Sequence, residues 1–79
     1  MNEERSYGIL HSMEYDIDGT DFRIELSTSK SGDSCSVVLY RAFFGVFIPT
    51  LSLEFTTLKD AEDLFDALCH GMETSNAYN

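Results

Sequence analysis

Residues 9 to 28 alternate between apolar and polar side chains in two runs that meet at an Asp-Gly pair, and this pattern leaves the chain few folds to choose from. In the first run Ile9, His11, Met13, Tyr15 and Ile17 share one parity, while Ser12, Glu14, Asp16 and Asp18 share the other. A period of two marks a strand with one face on a core and one in water. Asp18-Gly19 supplies a tight turn, after which Phe22, Ile24, Leu26 and Thr28 resume the inward set and Arg23, Glu25 and Ser27 the outward one. The pattern predicts an antiparallel hairpin over residues 8–28.

The polar stretch Lys30-Ser31-Gly32-Asp33 turns the chain into a third strand near 35–43. Val37, Val38, Leu39 and Tyr40 are apolar on both faces there, which predicts a central position in a sheet. A fourth strand near 47–56 places Leu51, Leu53 and Phe55 on one face and Thr50, Ser52, Glu54 and Thr56 on the other. Pro49 falls near its start, where a missing N–H is tolerated, and Gly45 marks the bend between the two strands. Thr57 with Asp60 three residues on resembles a capping box, opening a segment whose Leu58, Ala61, Leu64, Phe65, Leu68 and Met72 recur at helical spacing. The helix is expected over about 58–70 with Gly71 as its stop, and residues 1–6 and 74–79 are expected to be frayed. The fold class that follows is α+β: a four-stranded antiparallel β-sheet in the order β-β-β-β-α. One C-terminal amphipathic helix packs on one face, as a single domain over residues 1–79.

Charge narrows the partners such a domain can have. The sequence holds 14 Asp and Glu against 5 Lys and Arg, a net charge of -9. The cations Arg5, Arg23, Lys30, Arg41 and Lys59 are scattered, so phosphate backbones and anionic membranes meet no basic patch. A basic protein surface is the expected partner, with no direct nucleic acid and no membrane. Cys35 and Cys69 form no C-x-x-C pair, and no run approaches about 18 apolar residues, so a reduced, cytoplasmic setting is expected.

Asp16-Ile17-Asp18-Gly19-Thr20 resembles the first motif of haloacid-dehalogenase-type phosphatases, in which one Asp attacks phosphorus. That family places the motif after a buried parallel strand of a doubly wound domain; here it follows a half-polar strand and enters a hairpin, so an Asp-Gly turn is the expected role. Asp16, Asp18 and Asp21 lack the Gly and Glu positions of a calcium loop, and His11, His70, Cys35 and Cys69 have no zinc-ligand spacing. No nucleophile elbow or Gly-rich phosphate loop occurs. The chain is therefore not expected to be an enzyme, and no metal and no cofactor is expected.

Two features point to binding. Phe43-Phe44-Gly45-Val46-Phe47-Ile48 is an apolar run centred on a predicted bend, where loops are normally polar, and Phe44 and Phe47 are its candidate anchors. Asp60, Glu62, Asp63, Asp66 and Glu73 on the helix, with Asp18 and Asp21 on the first hairpin, form the candidate acidic contacts. The segment Glu54-Phe55-Thr56-Thr57-Leu58-Lys59-Asp60-Ala61-Glu62-Asp63-Leu64-Phe65 is a strand running through a Thr cap into an acidic helix. It resembles the closing unit of small acidic anti-CRISPR inhibitors made by phages. The arm-binding domains of tyrosine integrases are similar in build but basic. The resemblance to the inhibitors implies a protein that docks on a host nucleic-acid-handling complex in the cytoplasm and blocks DNA access or activation. An immunity-type protein that neutralises a basic toxin or nuclease, and a small homodimeric interaction module, are the competing expectations.

Overall fold

The structure is a computed structural model that describes residues 8–29 and 31–77. Four strands, β1 (Gly8–Ile17), β2 (Thr20–Thr28), β3 (Cys35–Phe43) and β4 (Val46–Phe55), precede one helix, α1 (Leu58–Ala77). They form the four-stranded antiparallel sheet of the expected α+β class, and its strands neighbour one another in chain order, β1-β2-β3-β4.

The alternation decides which side chains the helix covers. Ile24 and Leu26 of β2 pair with Leu39 and Val37 of β3, and Thr28 pairs with Cys35. Across the layer Ala61, Phe65 and Cys69, spaced by four on α1, complete a core whose largest fully buried side chains are Ile24, Leu26 and Val37. Tyr15, Leu39, Phe55, Leu64, Leu68 and Met72 pack around it.

Of the three hairpin connections, the tight turns between β1 and β2 and between β3 and β4 have positive φ at their two central residues, Asp18 and Gly19 at 57° and 86° and Phe44 and Gly45 at 52° and 82°. That backbone twist matches the twist of paired strands. In the first turn Asp16 Oδ1 accepts from the Gly19 N–H at 3.2 Å, so the Asp-rich string is used as a turn. Between β2 and β3 the Ser29 N–H donates to the Ser34 carbonyl at 2.9 Å and closes the loop. The helix opens as a cap: Thr57 Oγ1 accepts from the Asp60 N–H at 3.4 Å.

Two expectations are corrected. A bulge between Ile9 and His11 shifts the parity of β1, so Ile9 pairs with outward-facing Ser27 and is 58% exposed instead of joining the core. The helix also runs through Gly71 to Ala77, past its expected stop and through the first part of the tail expected to fray. A helical Gly costs only about 1 kcal/mol. Met72 packs on the core and Glu73 takes a hydrogen bond from Tyr15, and these contacts carry the helix onward. The ends at 1–6 and 78–79 lie outside the described residues. Among the described residues no helix is long and apolar enough to cross a membrane.

Candidate functional site

The layered fold separates acidic from apolar surface. The open face of the sheet, away from α1, carries Glu14, Asp16, Asp21, Glu25 and Glu54. Asp16 and Asp21 stand directly opposite each other beside the turn. Arg23 lies among these acids. Its guanidinium bonds to Glu14 Oε2 at 2.6 Å, sits 3.6 Å from Glu25, and covers the Phe47 ring at 4.4 Å. The Glu14 hydrogen bond pushes the Arg23 pKa higher still, and burial followed by Glu25 raises that of Tyr40, the residue paired with Arg23.

On the helix the acids divide into two sets. Asp60 and Asp63 are exposed, Asp63 meeting Lys59 at 3.3 Å one turn away. Glu62, Asp66 and Glu73 instead lie on the flank toward β1. Glu62 and Asp66 line a cavity of about 300 Å³ with His11 of β1 and Phe65. The His11 and Phe65 rings are 5.7 Å apart and tilted by 34°, while Glu73 Oε2 accepts from the Tyr15 hydroxyl at 3.1 Å.

This arrangement suits a cation. Two carboxylates at i and i+4 face the same opening, and the rings of His11 and Phe65 line it beside them. Nearby, burial raises the pKa values of the Tyr15 hydroxyl and the Cys69 thiol. A thiol held that way is a poor nucleophile. Among the described residues no three His, Cys, Asp or Glu side chains converge as a metal would require.

The expected contacts are only partly brought together. Glu62 and Asp66 share the cavity and Glu73 lies farther along the same flank, whereas Asp60 and Asp63 are on the exposed helix surface. Asp18 occupies the first turn and Asp21 the open sheet face. Phe44 and Phe47 do not form one anchor: Phe44 is fully exposed at 104% in the second turn, while Phe47 is half-buried beneath Arg23 on the open face. Sequence reasoning missed His11 and Phe65 as cavity walls. The available signal was a His at an inward parity of an edge strand, with acids at i and i+4 flanking the helix stripe.

Phe44 is the strained member. A left-handed φ crowds the Cβ of any L-residue and is rare for a bulky side chain, and this ring makes no burial in return. Phe44→Asn, which tolerates that backbone, is expected to raise unfolding stability by about 1 kcal/mol in urea titrations. A loss of stability would show that the ring packs within the fold. No family model matches the chain, and neither the curated proteins nor the solved structures contain a significant match.

Proposed function

We propose that the chain is a small acidic inhibitor that docks on the basic groove of a nucleic-acid-handling protein and keeps nucleic acid or an activating movement out. The observation that carries this reading is the cavity between β1 and α1. Glu62 and Asp66 there stand against the rings of His11 and Phe65, in a space large enough for a long cationic side chain. A groove built for phosphates presents Lys and Arg at short intervals. One such side chain seated in the cavity would fix the orientation, while the acids of the helix and open sheet face meet its neighbours and speed the encounter. Size, acidity and the strand-to-helix order favour a phage-encoded inhibitor acting on a CRISPR-type complex as the specific form of this reading.

The test is an affinity capture from bacterial lysate with the tagged chain, washed at low and then high salt and read by mass spectrometry, beside the Glu62→Gln/Asp66→Asn double variant. A nucleic-acid-handling complex should be retained at low salt and released at high salt. Its recovery should fall about tenfold or more with the double variant, in line with the loss of a close charge pair, and the captured complex should lose nucleic-acid binding when the chain is added back. Recovery that neither salt nor the double substitution changes would defeat the proposal.

A further inference from the structure

We propose that the apolar strip along the helix side of β4 is a self-association surface, closed by the same strip of a second copy around a two-fold axis. This inference is independent of the inhibitor reading. Four facts place it there. First, α1 lies mainly over β1, β2 and β3 and touches β4 least. The helix-side residues of β4 therefore stay open: Val46 is 57% exposed, Ile48 42%, Leu51 40% and Leu53 42%, and Leu58, which opens α1 three residues after the strand, is 42% exposed. Phe43, opposite Val46, is 43% exposed, and Phe44 stands at the end of the strip.

Second, the strip is continuous although β4 is bulged. The register shifts between the Leu39 and Tyr40 pairs, and Thr50 Oγ1 donates to the Leu39 carbonyl at 3.1 Å. The extra residue returns Ile48 and Val46 to the face of Leu51 and Leu53, opposite Arg41 and Phe43.

Third, the helix side of the sheet carries no acid. Its residues on β3 and β4 are Cys35, Val37, Leu39, Arg41, Phe43, Val46, Ile48, Leu51, Leu53 and Phe55, in a chain with 14 acids. Depletion of charge is the compositional mark of an interface centre. The charge among them is Arg41, whose guanidinium lies 5.1 Å from the Phe43 ring. A second copy brings the same strip.

Fourth, the area suffices for such a pair. Large apolar residues present on the order of 150–200 Å² each when fully exposed, so the strip with Phe44 offers on the order of 600 Å² per copy. That is at the top of the range for a patch on a monomer, and most of the roughly 800 Å² per partner that a stable complex covers. Pro49 and the bulge interrupt the free edge of β4, so the copies meet through faces and not by joining sheets edge to edge.

The net charge of -9 on each copy opposes this pairing, which makes its salt response diagnostic. Sedimentation at tens of micromolar is the experiment, in about 50 mM and about 500 mM NaCl, where screening lengths are roughly 14 and 4 Å. The expected result is a mass that rises toward twice 8.9 kDa as salt increases. Val46→Glu, at a largely exposed site, should weaken the association tenfold or more while far-UV circular dichroism stays unchanged. Should that variant unfold, the salt response of the unaltered chain decides alone. A strict monomer at both salt concentrations would overturn the proposal. So would a dimer that salt dissociates, or one that a folded Val46→Glu leaves intact. A monomer whose strip is instead covered by a different protein would overturn it as well.

Discussion

Leu26→Ala is expected to cost about 3 kcal/mol of unfolding stability, within the usual range for a large-to-small change at a buried site. Leu26 has no exposed surface, and its neighbours Val37 and Ala61 are closed as well, so little can relax into the space left behind. A chain of 79 residues has on the order of 4–12 kcal/mol of stability in total, and among the described residues few large side chains are fully buried. The loss should lower the urea midpoint by about 2–3 M if the slope is near 1 kcal/mol/M, or leave the domain largely unfolded. Ile9→Ala is the matched control. The sequence alternation assigns Ile9 to the same inward set, but the bulge leaves it 58% exposed, and it should cost well under 1 kcal/mol. Equal losses at the two positions would contradict the bulge and the core it defines.

Replacing Asp60, Asp63 and Asp66 together by Lys should abolish most of the affinity for a basic partner. Each change adds two positive units to a net charge of -9, at three exposed side chains of which Asp66 also lines the cavity. The probe is an arginine-rich peptide titrated at low and high salt. Its affinity at low salt should fall by about a hundredfold, and the salt dependence should flatten, because exposed charges act through a screened field. The fold should persist with a cost of about 1 kcal/mol, from the Lys59–Asp63 pair and the favourable acid at the start of the helix. Peptide affinity that does not change in a folded variant would remove both the exposed helix surface and Asp66 of the cavity from the contact. The cavity variant Glu62→Gln/Asp66→Asn removes less charge, so a comparable loss there would mark a seated side chain and not a diffuse field.

These predictions rest on two kinds of information. The alternation of residues 11–17 and 20–28, the Asp18-Gly19 turn and the Thr57 cap determined the first hairpin and the start of the helix. Each is a local pattern, acting through the pleat or through a hydrogen bond reaching a few residues, so each is visible before any packing is known. The same holds for the excess of acids and for the apolar run from Phe43 to Ile48.

What only the tertiary structure decided depends on groups far apart in the chain. The bulges in β1 and β4 are set by the register of the neighbouring strands, and they moved Ile9 out of the core and aligned Val46 with Leu53. Gly71 failed to stop the helix because Tyr15, 58 residues before Glu73, holds the next turn in place. Phe44 and Phe47 were divided between the turn and the open face because one lies in the left-handed turn and the other pairs with Ala42 on a strand. The cavity exists only because α1 brings Glu62 and Asp66 to His11. A side chain's local conformation follows from its neighbours in sequence, but what it faces follows from where the helix lands on the sheet.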